Sequence, residues 1–458
     1  MSFTSLSFLF YFLPLSLLLY SLCPKRLKKG LLIVISVLFY GWMKPINMLY
    51  LILLILYVYL GGRVIQNTKE QGLKRIRMWC FCSFLIFLLV YFKYAQGLYD
   101  AIVSMLSLKL QIDALLMPLG SSFILFQALS YLFDIGYEKT DHVKLIDCAL
   151  YISFFPKLLM GPIMQYHDFI IKNEAAFVTW DNVEAGTRRF TLGLAQKVIL
   201  ADSMAQLYAV LNTDTSTLGC WLASIAYTFQ IFFDFAGYTS MAIGTAMMLG
   251  YQLNENFCHP YHAQSIRDFW RRWHISLSTW FRDYVYIPLG GNRVSVWKHI
   301  RNVLIVWMLT GMWHGNSFNF ILWGLYYACL LLLETYSPLK HMAKLKVISQ
   351  LITFLLVNFG WIIFAESDIT ALGLRLSAML GFGSTLCSAQ SIAYLCSYAG
   401  LLSIGAVLVF LPIAKWKQMF TERCRSEWLP VIAYACLFFI SIAFLLASQY
   451  QSFLYFRF

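Results

Sequence analysis

The sequence predicts an all-α polytopic integral membrane protein: one helical bundle with roughly eleven transmembrane crossings plus re-entrant and interfacial helices. Three observations predict it. Of 458 residues, 60% are hydrophobic and 12% charged, against about 25% charged in a soluble domain. Mean hydropathy is +0.66, so too few charges exist to coat a water-facing surface. The apolar runs approach the roughly 20 residues that cross about 30 Å of hydrocarbon. They are continuous rather than alternating, which excludes a β-barrel. Finally, the net charge of +13 is gathered in short basic clusters between these runs, as the positive-inside rule produces.

Candidate spans fall near residues 5–22, 31–43, 46–62, 78–96, 114–134, 148–163, 190–211, 218–250, 302–334, 347–365, 393–413 and 428–448. The first is followed, not preceded, by Lys25, Arg26, Lys28 and Lys29. That order argues against a cleaved signal peptide and puts the N-terminus outside the cytosol. Further basic clusters are Arg63–Arg77, Arg267–Arg301, Lys340, Lys344 and Lys346, and Lys415, Lys417, Arg423 and Arg425. They read as cytoplasmic loops near anionic lipid rather than a nucleic-acid surface. The eleven cysteines lie mostly inside apolar runs as small buried hydrophobes. No metal site is assigned: Cys258-His259-Pro260-Tyr261-His262 offers three ligand types, but a proline interrupts them and no second ligand pair lies nearby. The whole chain, 1–458, reads as a single membrane-embedded domain: 1–114 are scaffold spans, 115–370 the core where polar groups enter apolar context, and 371–458 C-terminal spans.

Polar groups buried in lipid are costly and mark function, and they are densest between residues 155 and 316. Phe155-Pro156-Lys157 through Met160-Gly161-Pro162 breaks an apolar run. It is either a re-entrant segment lining a pocket or a kinked structural helix. Arg267–Phe281 carries Trp270, Trp273, Leu277 and Trp280 at helical spacing, with Asp268 four residues before Arg272. It reads as one amphipathic interfacial helix, with His274 beside the tryptophans. Asn302–Glu334 holds two apolar runs around Trp313-His314-Gly315-Asn316-Ser317. The first, about 12 residues or about 18 Å, is short for a crossing. Gly315 permits a turn and Asn316 or Ser317 a helix cap, which places His314 at a break inside the membrane thickness.

A histidine near its ordinary pKa of about 6.5 takes a proton at neutral pH. Acyl transfer from a thioester to a hydroxyl needs that proton removed, together with donors for the oxyanion. His314 and His274 supply the base and a second polar group. Trp313, Asn316 and Asn292 are candidate donors. Arg271, Arg272, Arg282 and Arg293 are candidates for the phosphates of a nucleotide-thioester, with headgroup contact the competing role of each. No phosphate loop, GxSxG elbow or HExxH zinc motif competes.

The blocks YTFQIFFDFAGYTSMAIGTAMMLGYQLNENF (227–257), RDFWRRWHISLSTWFRDYVYIPLGGNR (267–293) and LTGMWHG (309–315), with segments at 117–134, 154–163 and 359–367, resemble the membrane-bound O-acyltransferase (MBOAT) family. They look most like its alginate O-acetyltransferase subunit I branch. The resemblance covers roughly residues 115–370. It departs at Cys258 and His259, where family members often carry asparagine and tyrosine. It implies an MBOAT-type bundle, with His314 matching the family's active-site histidine and His274 its second histidine. It implies a multi-pass protein of the bacterial cytoplasmic membrane that binds no cofactor and uses acetyl-CoA or another acyl thioester as co-substrate. The acyl group would pass to an extracytoplasmic polysaccharide or cell-wall glycan with the help of a separate extracytoplasmic acyltransferase- or esterase-like partner. A transporter or flippase of a lipid-linked or small anionic substrate is the competing class, although such folds often repeat their halves and no repeat is visible here.

Overall fold

Continuous apolar runs satisfy their backbone hydrogen bonds internally only as helices, and helix is what they form. The computed structural model describes residues 1–106, 118–337, 346–411 and 428–447, with no strand among them. Lys340, Lys344, Lys415, Lys417, Arg423 and Arg425 lie outside the described residues, as do the first residues of the span expected at 114–134 and the last of those at 393–413 and 428–448.

In chain order the helices are α1 (Leu13–Leu22), α2 (Lys28–Gly41), α3 (Ile46–Gln66), α4 (Gln71–Met105), α5 (Ser121–Gly136), α6 (Leu145–Ser153), α7 (Phe155–Leu158), α8 (Tyr166–Lys172), α9 (Trp180–Ala195), α10 (Asp202–Leu211), α11 (Thr217–Met248), α12 (Ile266–Arg272), α13 (Ile275–Phe281), α14 (Val296–His314), α15 (Phe318–Tyr336), α16 (Lys346–Ala365), α17 (Ile369–Ser377), α18 (Ala389–Phe410) and α19 (Trp428–Ala447). Among the described residues seven are long and apolar enough to cross a membrane: α3, α4, α11, α15, α16, α18 and α19. Shorter apolar helical stretches lie at Phe8–Leu22, Ser121–Gly136 and Ile369–Phe382.

The chain divides into two units. The first comprises Met1–Phe190 with Thr239–Asn254, the second Thr191–Tyr238 with Glu255–Phe458. In the first unit, α5 is buried from Ser121 to Ile135 and packs on α3 and α4. The Pro-Gly break expected after residue 154 is present: α7 is one turn long, and the irregular chain from Leu159 to Gln165 is buried throughout. Lys157, fully buried, donates to the Tyr151 carbonyl (2.6 Å) and to Gln127 Oε1, with its ammonium 4.0 Å from the centroid of the Tyr151 ring. Broken backbone is tolerated at such depth because protein encloses it.

In the second unit, α14 and α15 form the closest helix pair. A Cβ on Gly311 would collide with the Phe320 carbonyl, and one on Gly324 with the Trp307 carbonyl. Two glycines thus let the backbones touch. The run before His314 is longer than its apolar stretch implied. Helix α14 starts at Val296 and spans 19 residues, about 28 Å, because Lys298, His299, Arg301 and Asn302 extend the helix rather than a loop. Elsewhere in this unit, a π-helical turn at Gln196–Ala201 presents Lys197 to two buried carboxylates, Asp202 Oδ1 (2.6 Å) and Asp234 Oδ1 (2.8 Å).

Candidate active site

The amphipathic stretch 267–281 is two short helices, not one. Helix α12 ends at Arg272, α13 begins at Ile275, and the break is at Trp273–His274. His274 adopts φ +43°, ψ +52°, a left-handed conformation costing a side-chain-bearing residue about 1–2 kcal/mol. Three buried contacts hold it there. Asn256 Oδ1 accepts from His274 Nδ1 (3.1 Å), from the Ser276 N–H (3.2 Å) and from the Ser276 hydroxyl (2.9 Å). A backbone N–H can only donate, so the atom facing it is the amide oxygen, and His274 must carry its proton on Nδ1. Its Nε2 is then the ring's basic nitrogen. The residue lies outside the seven crossing helices, and burial pulls its pKa down to about 3. The imidazole is therefore neutral at physiological pH.

His314 is the last residue of α14 and is 3% exposed. Three rings meet its imidazole near edge-on: Trp313 (centroids 4.8 Å), Trp323 (5.1 Å) and Phe364 (5.0 Å). Trp313 also lies 6.3 Å from His274, so the two histidines, forty positions apart in sequence, share one indole as a neighbour. On its other side His274 meets Phe235 edge-on at 4.7 Å. Gly315 is extended (φ 174°), so its role is not a left-handed turn. A Cβ there would enter the Phe320 ring, and the glycine makes room for that ring. Ser317 is the N-cap residue of α15 but its side chain makes no capping bond. The helix start is anchored instead by Asn319, whose amide donates to the Ile363 and Phe364 carbonyls (3.3 and 2.8 Å).

An aromatic lane leads from α12 to His314. Trp270, Trp307, Tyr327 and Trp323 pack with centroids 4.7–5.8 Å apart, and Trp323 touches His314. The indole N–H groups of Trp270 and Trp323 and the Tyr327 hydroxyl have no hydrogen-bond partner among the described residues. Such buried donors call for a ligand or water. At the α12 end of the lane, Glu334 accepts from the Ile266 and Arg267 amides (2.6 and 3.0 Å).

The remaining sequence candidates lie at the surface. Asn292, Arg271, Arg282, Arg293 and Asn316 are exposed and Arg272 half-buried. Arg272 forms the expected pair with Asp268 (2.8 Å). Arg282 makes a two-pronged bond with Asp283 (2.6 and 3.1 Å). The loop carrying Asn292 is tied to α14 by Asn302, whose amide donates to the Leu289 and Gly291 carbonyls (3.1 and 3.0 Å). Sequence reasoning missed Asn256, Asn302 and Asn319. Each is a buried asparagine inside or beside an apolar run, a signal that also marks functional groups in lipid. Among the described residues no three His, Cys, Asp or Glu side chains gather as a metal site.

Comparison with known proteins identifies the family. The family described as MBOAT, membrane-bound O-acyltransferase family, matches residues 70–365, a stretch holding both histidines. The chain is 36% identical to a probable alginate O-acetylase AlgI of Pseudomonas aeruginosa over 444 residues, 93% of this chain and 84% of that protein. It is 36% identical to its counterpart in Azotobacter vinelandii over 395 residues, covering 84% and 79% of the two chains. It is also similar to a peptidoglycan O-acetyltransferase of Helicobacter pylori, at 30% identity over 516 residues, covering 98% and 96%.

Proposed function

We propose that this multi-pass chain, which belongs to the membrane-bound O-acyltransferase family and is an O-acyltransferase, moves an acetyl group from acetyl-CoA on the cytoplasmic side of a bacterial inner membrane to hydroxyls of an extracytoplasmic glycan, with a separate extracytoplasmic protein assisting. The observation that carries this reading is the pair of buried histidines that share Trp313 as a ring neighbour, each at a helix break. His314 is the general base. It takes the hydroxyl proton as that oxygen attacks the thioester carbonyl, the carbon–sulfur bond breaks, and the proton passes on to the departing thiolate. His274, neutral and fixed in one tautomer by Asn256, positions the reacting groups. Trp313 supplies an N–H near the carbonyl oxygen, with Asn316 and Asn292 at the rim.

The aromatic lane supports the donor assignment. Its unpaired indole and phenol donors fit the amide carbonyls of a pantetheine arm, and its apolar walls exclude water. Arg271, Arg272 and Arg282 are the cationic groups for the donor's phosphates. Arg271 leads, because the other two already hold carboxylates. Residues 115–370 form the catalytic core in this reading. The test is ester-linked acetate on extracellular glycan in cells carrying His314→Ala, with membrane protein level measured alongside. Loss of acetate with normal protein level is expected. Wild-type acetate would remove His314 from the reaction.

A further inference from the structure

Tyr261 belongs to the 258–262 stretch, where the sequence offers ligand types but no metal site, and it is 2% exposed. His259 takes a left-handed backbone (φ +45°), and Pro260 opens a 3₁₀ turn that ends at His262. The proline ring fixes its own φ, which narrows the directions open to the next side chain. The Tyr261 hydroxyl donates to the Thr228 carbonyl on α11 (3.3 Å) and accepts from the Trp361 indole N–H on α16 (3.2 Å). Its backbone carbonyl accepts from Gln350 on α16 (3.0 Å). One residue is thus bonded to two membrane-crossing helices. Those helices are also joined directly: Asn358 of α16 donates to the Thr228 hydroxyl (2.7 Å) and accepts from the Ser224 hydroxyl (2.6 Å). Thr228 is therefore held through its side chain while its carbonyl holds Tyr261.

The indole fixed by this hydroxyl touches the surroundings of both histidines. Trp361 is 1% exposed. Its ring lies 4.7 Å from Trp273, the residue before His274. It lies 5.9 Å from Phe364 and 6.2 Å from Trp323, and those two rings meet His314 at 5.0 and 5.1 Å. Trp361 and Phe364 are three residues apart on α16, which makes them neighbours on its surface. A close-packed interior transmits a displacement rather than absorbing it. Without its acceptor the indole N–H is buried and unpaired, a costly state. Any turn of the ring that relieves it is felt by Trp273 as well as by Phe364 and Trp323.

We infer that Tyr261 is a positioning residue for acyl transfer: through the Trp361 indole, its hydroxyl sets the placement of His274 and His314. The inference rests on the acyl-transfer reading above, and the experiment keeps the two apart. Inverted membrane vesicles from cells that make the glycan carry the full chain, and radiolabelled acetyl-CoA is supplied at the cytoplasmic face. Tyr261→Phe removes one oxygen. Incorporation into glycan, per inserted protein, is expected to fall about tenfold in kcat, with KM for acetyl-CoA within about twofold of the wild type. Trp361→Phe is expected to fall similarly, and the double variant no further than the lower single, because both changes break the same link. A wild-type kcat, a loss confined to KM, or two effects that multiply overturns the positioning role. A second readout follows the rings themselves, in full chain labelled with 5-fluorotryptophan in lipid nanodiscs, each fluorine signal assigned by replacing its tryptophan with phenylalanine. Tyr261→Phe is expected to shift the signal of Trp313, the ring neighbour of both histidines, together with that of Trp361. A shift confined to Trp361 is what a core hydrogen bond alone would give, and it overturns the inference. Should Tyr261→Phe fail to insert, Gln350→Leu, which releases only the Tyr261 carbonyl, decides instead: a kcat lowered about threefold with a shifted Trp313 signal supports the role, and wild-type values overturn it. Undiminished incorporation in His314→Ala, or none from acetyl-CoA in the wild type, overturns the acyl-transfer reading, while a Trp313 shift in Tyr261→Phe still leaves the placement of the two imidazoles by Tyr261 standing.

Discussion

Removing Asn256 tests the positioning of His274 directly. Asn256 is 1% exposed, and its amide oxygen receives three donors, the nearest at 2.9 Å. Asn256→Leu keeps the approximate size and deletes the acceptor, leaving the His274 Nδ1–H, the Ser276 N–H and the Ser276 hydroxyl without it. At about 1 kcal/mol per bond, the folded state loses about 3 kcal/mol. The left-handed backbone of His274, which costs about 1–2 kcal/mol to hold, loses its side-chain anchor. The ring is then free to leave Trp313. The expected outcome is a clear drop in unfolding midpoint and a fall in transfer rate of about 100-fold if the lost energy is felt at the transition state. Asn256→Asp retains an acceptor oxygen and restores stability in part. It also sets a negative charge against an imidazole now held at about 3, which raises the imidazole pKa and shifts the pH–rate profile. A folded protein that merely needed a filled core would show neither the rescue by aspartate nor the shifted profile. The reasoning fails if Asn256→Leu unfolds at the wild-type temperature and turns over at the wild-type rate.

Two other perturbations follow from buried charge. Lys197→Met leaves Asp202 and Asp234 buried without the ammonium they share. A loss of about 3–5 kcal/mol is expected, read as aggregation on size exclusion, with partial recovery when both carboxylates are also changed to asparagine. His167, on α8 and outside the crossing helices, bonds the fully buried Asp134 (2.9 Å), and this bond raises its pKa above the ordinary value of 6.5. The stabilisation it gives is therefore complete below pH about 6.5 and is lost as pH rises through the higher folded value. Unfolding midpoints measured from pH 5 to 9 should fall more steeply for the wild type than for His167→Gln. Parallel curves would refute the assignment.

What the sequence made legible, and what it hid, divides along one physical line. Helix, membrane and the position of His314 at a break are local properties, carried by run length and by the Gly315-Asn316-Ser317 interruption. The Asp268–Arg272 pair is equally local, set by four-residue spacing on one helix. The break at Trp273–His274 has no such signal, since neither glycine nor proline marks it. It exists because Asn256, eighteen residues earlier, captures the histidine and Ser276 together. The four polar or charged residues Lys298, His299, Arg301 and Asn302 concealed the first turns of α14, because composition cannot distinguish a loop from a helix end whose Asn302 braces the neighbouring loop. The arginines looked equivalent in sequence, yet only acidic neighbours separate them: Asp268 and Asp283 engage Arg272 and Arg282, while Arg271 remains exposed. The hidden features are thus those that orient chemistry rather than those that build the bundle. A tertiary contact is what turns a histidine in an apolar stretch into one with a fixed tautomer, and this is why Asn256, absent from any motif-based list of catalytic groups, is the residue whose replacement discriminates best between a positioned imidazole and a merely buried one.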